Sequence, residues 1–181
     1  MTSRSFHRTG AFLAVCALAS LAATLPADRW PAAIAFGLLL LAISWMDLRS
    51  GIVHAALALP LGLGGALAAW LTAPALLPAA LAGAALGYIG FRLVETGFRH
   101  LRGHDGLGRG DSWVLGGAAA WVGPGGLGFV IAGAAAIALL AVLLRDRGFA
   151  PKASLPFAPA LACASWVVWI AAGGAPSWTL P

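Results

Sequence analysis

Charge is what this chain has least of. Lys and Arg total 11 and Asp and Glu only 6, so 9% of residues are charged, against about a quarter in an ordinary soluble domain. Hydrophobic residues make up 61% of the sequence and the mean hydropathy is +0.91. Such a composition excludes a water-soluble globular domain and makes lipid the solvent. The net charge of +5 would suit nucleic acid, but the basic residues are scattered between apolar blocks. They form no basic face and accompany no aromatic stacking module, so no nucleic-acid partner is expected. Cysteine is nearly absent too. Cys16 and Cys163 each lie in an apolar run with no second cysteine nearby, which excludes a disulfide framework and a Cys-x-x-Cys metal site. Both read as small hydrophobes facing helices or lipid, and neither a metal nor a cofactor is expected.

What is present is a series of apolar stretches. A span needs about 20 mostly apolar residues, and stretches of suitable character run roughly over 10–26, 30–47, 55–72, 75–94, 112–123, 126–144 and 158–173, with Pro26, Pro31, Pro74, Pro124 and Pro159 near their ends, where a missing N–H costs least. The expected fold is an all-α integral membrane protein, a bundle of about seven transmembrane helices forming one domain over 1–181. The segment 112–123 is the short one, rising about 18 Å as a helix. Arginine placement favours a true span there over a re-entrant loop. With the N-terminus inside and the C-terminus outside, every basic residue except Arg29 falls on the cytoplasmic side, as such residues do in membrane proteins. Arg4 and Arg8 ahead of the apolar run also resemble the start of a signal peptide. The Leu25-Pro26-Ala27 stretch is a poor cleavage site, so this segment is taken as a span. Glycines at 62, 64, 65, 83, 87, 90, 116 and 117 recur inside the spans, where small residues let helices approach closely in lipid.

The few acids can be sorted by setting. Asp28 lies in an outer turn, Glu95 and Asp105 fall in a basic, glycine-rich cytoplasmic loop expected from about 95 to 111, and Asp146 sits between Arg145 and Arg147, where ordinary solvated pairing accounts for it. Asp47 ends a strongly apolar run and Asp111 opens the short span after Gly106-Leu-Gly-Arg-Gly. An ionisable group at or within the membrane is costly and is a functional candidate by default. The expected topology brings both to the cytoplasmic boundary. Two carboxylates that meet share a proton, so that one can act as acid while the other acts as base, which is the machinery of aspartyl proteolysis. Helix dipoles would make Asp111, at a helix N-terminus, the resting base and Asp47 the acid. Gly108 and Gly110 permit close approach of a substrate strand. Other readings of the same residues stand beside this one: Asp111 as a helix N-cap, Asp47 as a partner of Arg49, or both as proton or cation sites of a small-solute transporter.

At these residues the chain resembles the type IV prepilin peptidase family, membrane aspartyl proteases with a Gly-x-Gly-Asp motif. The block from Asp47 through Gly51 and His54 to Leu59-Pro60-Leu61 is similar to the family's first aspartate block. Gly106-Leu-Gly-Arg-Gly-Asp111-Ser-Trp, followed by an alanine-rich helix ending in Trp121-Val-Gly123, is similar to the second. Leu155-Pro-Phe-Ala-Pro159 is similar to a Pro-Phe-Gly-Pro block before the last helix. The resemblance covers about residues 30–173. It implies that Asp47 and Asp111 are the catalytic pair, that Gly106, Gly108 and Gly110 form the loop beside it, and that prepilins or pseudopilins are cut at the cytoplasmic face of the inner membrane after a short basic leader. The chain departs from the pattern at His54-Ala55, where the family has Pro-Asp or Pro-Asn; at Trp113, in place of a lysine; and at Ala158, in place of a glycine. His54 is the polar group on hand to replace part of the first lost contact, although a lone histidine at a helix entrance reads first as an interface residue. A membrane subunit for pilus or secretion assembly, built on the same fold without catalysis, is the alternative. Likeness to the short, Tad-type members implies no methyltransferase activity and no zinc.

Overall fold

A computed structural model describes residues 22–51, 55–102, 109–145 and 157–179; the expected first span over 10–26 lies almost wholly outside them, as do His54, Gly106 and Gly108. Among the described residues the fold is entirely helical. A 3-10 turn at Ala27–Arg29 leads into α1 (Trp30–Ser50), then come α2 (Ala55–Thr72), a second 3-10 turn at Pro74–Leu76, α3 (Leu77–Arg102), α4 (Arg109–Arg145) and α5 (Ala158–Ala171). The helical stretches Ala27–Ser50, Pro74–Leu101 and Gly110–Leu143 are long and apolar enough to cross a membrane, and Ala56–Thr72 and Ala158–Ala171 are shorter apolar helices.

Helix ends follow local chemistry. Pro31 sits in the first turn of α1 and Gly51, at φ 64°, terminates it, its N–H closing on the Asp47 carbonyl. Only glycine adopts that left-handed cap without steric cost. The basic stretch after Val94 differs from expectation. It is not loop but the last turns of α3, which runs unbroken to Arg102. Arg92, Glu95 and Arg99 stand at helical spacing there and are joined by ion pairs, which support the helix beyond the apolar window.

α4 is two helices joined at Gly123, whose φ of 78° and ψ of 176° are not helical, and Pro124 follows it. Packing shows that the chain reverses there. Residues 109–122 run antiparallel to α3, with Ser112 beside Glu95 and Gly116 against Tyr88 and Ala84. Residues 124–145 instead run antiparallel to α5, with Gly126 against Val168 and Gly133 against Ala164. Phe157, just before α5, stacks on Phe91 of α3 with centroids 6.3 Å apart. Start of α5 and start of α4 therefore share one end of the bundle, which a straight helix of 37 residues, about 55 Å long, could not allow. The expected spans 112–123 and 126–144 thus appear as two antiparallel arms of α4.

The two arms meet their neighbours at glycine. A Cβ on Gly83 would lie 2.9 Å from the Gly123 Cα, one on Gly87 2.9 Å from the Ala119 Cβ, and one on Gly65 2.8 Å from the Ala120 Cβ. Close backbone approach supplies the dispersion contacts that hold helices together where solvent is as apolar as the side chains. Gly90 meets nothing within 4 Å, so it takes no part in that seam. The centre of the bundle is aromatic. Phe36 stacks on Trp121 at 4.5 Å and meets Trp169 edge-on at 5.4 Å, and the buried Trp121 indole donates to the Leu61 carbonyl at 2.8 Å. Large apolar side chains such as Leu38, Leu63, Ile89, Leu93 and Leu139 remain exposed on four helices, as a bundle solvated by lipid requires.

Candidate functional site

Asp47, Asp111 and Ala158, one from each of the three blocks singled out in the sequence, lie at one end of the bundle. Asp47 lies one turn before the end of α1 and is 7% exposed. Its Oδ2 accepts the backbone N–H of Ala158 at 3.2 Å. That N–H belongs to the start of α5, where the capping residue Phe157 contributes no side-chain hydrogen bond and proline occupies the first turn. A helix N-terminus presents unpaired donors and the positive end of its dipole, so α5 offers a natural seat for a carboxylate. Phe157 and Pro159, at the start of α5, thereby bring one backbone donor to Asp47.

Asp111 lies in the first turn of α4, after Gly110, and is half-buried. The chain of contacts from Asp47 through Ala158 and Phe157 to Phe91, and from Glu95 to Ser112, places both aspartates at the same end of the molecule. Trp113, which stands where the resembling family has a lysine, packs on Tyr88 of α3 with ring centroids 4.7 Å apart. Among the described residues, no group of three or more His, Cys, Asp or Glu is placed to hold a metal ion.

Glu95 is the residue that sequence reasoning passed over. Far from being a solvated loop acid, it is 2% exposed. Arg92 Nη1 donates to its Oε2 at 2.6 Å and Arg99 Nη2 to its Oε1 at 2.7 Å. The hydroxyl of Ser112, itself fully buried, donates to Oε2 at 3.3 Å. The signal was available in the spacing: arginines three positions before and four positions after a glutamate point to one helical face.

Fold and site together define a polytopic helical membrane protein with acidic side chains gathered at one end of its bundle. Comparison with known proteins gives the family: the type IV leader peptidase family matches residues 34–144, and the chain belongs to it. It is 36% identical over 142 residues to a prepilin leader peptidase/N-methyltransferase of Xanthomonas campestris pv. campestris, covering 76% of this chain and 48% of that protein. It is 36% identical over 156 residues to a protein of the same description from Burkholderia pseudomallei, covering 83% and 50%. It is also 36% identical over 125 residues to the leader peptidase HopD of Salmonella typhimurium, covering 67% and 80%. The chain thus spans about half the length of the leader peptidase/N-methyltransferases that it matches. No solved structure matches it.

Proposed function

We propose that the protein is a membrane aspartyl endopeptidase that removes the basic leader from type IV prepilins or pseudopilins, with Asp47 and Asp111 activating water at the cytoplasmic face of the inner membrane. The observation that carries this reading is the convergence, at one end of a bundle of this family, of the only two aspartates that its motif blocks contain. In the reaction the unprotonated carboxylate takes a proton from water as its oxygen attacks the scissile carbonyl. The protonated partner gives its proton to the amine that leaves. Neither step calls for a cofactor. Gly106, Gly108, Gly110 and His54 are proposed substrate contacts; Gly110 lies in the first turn of α4 rather than in a loop, and the other three fall outside the described residues.

The sidedness belongs to the same proposal. Among the described residues, Arg49, Arg99, Arg102, Arg109 and Arg145 lie near helix ends on the Asp47 side of the bundle and Arg92 lies in the same half of α3, whereas Arg29 lies at the other end, bonded to Thr72. Basic residues collect on the cytoplasmic side, so that end faces the compartment in which a basic leader is held. Seven spans with the N-terminus inside and the C-terminus outside satisfy this distribution.

Co-expression with a type IV prepilin, read by the mobility shift on leader removal, tests the proposal. The wild-type chain should cleave, and Asp47→Asn and Asp111→Asn should each abolish cleavage. No cleavage by wild type, in an assay where HopD or another relative cleaves, would refute the peptidase reading. Cleavage surviving either substitution would refute the pair. The alternative of a non-catalytic assembly subunit draws on the Asp47–Ala158 bond, which a purely structural cap would also make; it predicts pilus assembly indifferent to Asp111→Asn.

A further inference from the structure

We infer that Glu95 is a positioning residue for Asp111, acting through the hydroxyl of Ser112. Three observations on different side chains converge on it. First, Glu95 is held from both sides by Arg92 and Arg99 at 2.6 and 2.7 Å. Those two bonds fix the carboxylate on the face of α3 that packs against the first arm of α4. Second, Ser112, next in sequence to Asp111, is fully buried and directs its only side-chain donor to Glu95 Oε2 at 3.3 Å. A carboxylate already paired with two guanidinium groups accepts and cannot donate, so the polarity of this bond is settled. Third, the seam between these helices is built from Gly87 and Gly116, which bring α3 and α4 close but carry no side chain that could fix rotation about the helix axis. Beside the Tyr88–Trp113 ring contact, the Ser112–Glu95 bond is the polar latch on that seam.

Asp111 and Ser112 are neighbours in the first turn of α4, so a bond that holds Ser112 against α3 also sets the rotation of the helical turn that carries Asp111. The cluster of two arginines and one glutamate also leaves one net positive charge near Asp111, whereas Trp113 has replaced the lysine of the family pattern.

The inference rests on the proposed role of Asp111 only for its kinetic readout. Ser112→Ala removes the hydroxyl and little volume. In the prepilin assay it should lower kcat by about tenfold with KM unchanged, as expected when a catalytic group is displaced by a fraction of an ångström. Glu95→Ala, which removes the acceptor, should lower kcat at least as much, and the pair should be no worse than Glu95→Ala alone, because both changes break one contact. Position can be read without activity. In a Cys16→Ala/Cys163→Ala background, a nitroxide attached through Asp111→Cys should give an immobilised spectrum in membranes, and adding Ser112→Ala should introduce a mobile component. Spectra that superimpose with and without Ser112→Ala would overturn the inference, as would additive effects of the two substitutions on kcat. Because the label replaces the carboxylate, its result stands even if the wild-type protein cleaves nothing, an outcome that would refute the peptidase reading alone.

Discussion

Asp47, Glu95 and Trp121 show three ways in which a polar group is kept inside an apolar bundle. Asp47 takes a backbone N–H from a helix that starts beside it, Glu95 takes two guanidinium groups, and Trp121 gives its indole N–H to the Leu61 carbonyl 2.8 Å away. Each removes the cost of an unsatisfied group in a medium that offers no water. The Trp121 bond is the simplest to test, since the ring also stacks on Phe36. Trp121→Phe keeps an aromatic ring and deletes the donor, and should lower unfolding stability in detergent by about 1 kcal/mol. Trp121→Ala also empties the centre of the aromatic cluster and should cost about 3–5 kcal/mol. Equal losses for the two would mean that the hydrogen bond, and not the ring, does most of the holding. At this scale the sequence was a partial guide. Asp47 and Asp111 stood out because an ionisable group at the edge of an apolar run is costly. Glu95 did not, because neighbouring arginines made it look solvated, and only the packing of Ser112 and the first arm of α4 against that face buries it.

The helices show the same division between what pattern reveals and what packing decides. Glycines spaced along α3 and α4 announce close contact, yet the pattern cannot say which of them make it. Gly83 faces the Ala119 carbonyl and the Gly123 backbone, which cannot move aside, whereas Gly90 on the same helix faces open space. Gly83→Ala should therefore destabilise by about 1–3 kcal/mol, and Gly90→Ala should be neutral or stabilise by up to about 1 kcal/mol through helix propensity. Thermal unfolding of the two variants in one detergent checks the opposite signs. Element boundaries were legible where proline breaks the chain, at Pro74 and Pro124, whereas the end of α1 at Gly51 lies beyond the expected limit of 47. They were misplaced at the end of α3, because hydropathy falls at Arg92 while the helix continues to Arg102. Long basic side chains reach the interface from a helix that is still regular, so loss of apolar character marks the edge of the membrane and not the end of the helix. Gly123 carries the further demand of a φ of 78°, with a Cβ there lying 2.5 Å from the Ser177 backbone. Gly123→Ala should disturb the reversal and with it the level of folded protein recovered from membranes, while Gly128→Ala, with nothing within 4 Å, should not.

For the whole molecule, the distribution of charge and tryptophan sets its place in the bilayer. Exposed Trp30, Trp70 and Trp178 lie at one end of the bundle and exposed Trp45 and Trp113 towards the other, with Trp45 beneath the Arg49 guanidinium at 4.3 Å. Two girdles of this kind mark the two interfaces, and α1, with 21 residues, is about 31 Å long, close to the hydrocarbon thickness of about 30 Å. The girdles fix depth but not direction. The proposed direction is supported by arginine, since among the described residues only Arg29 lies at the end away from Asp47, and the proposed chemistry asks for the same direction, because a leader cut in the cytoplasm needs its carboxylates there. Single cysteines in a Cys16→Ala/Cys163→Ala background decide the matter. Ala75→Cys and Thr179→Cys, both at exposed positions on the end away from Asp47, should react with an impermeant maleimide added to spheroplasts. Ser50→Cys, exposed one turn beyond Asp47, should react only after the membrane is opened. The reverse pattern would put both aspartates on the far side of the membrane from a cytoplasmic leader, and the proposed cleavage could not occur however well the pair were aligned.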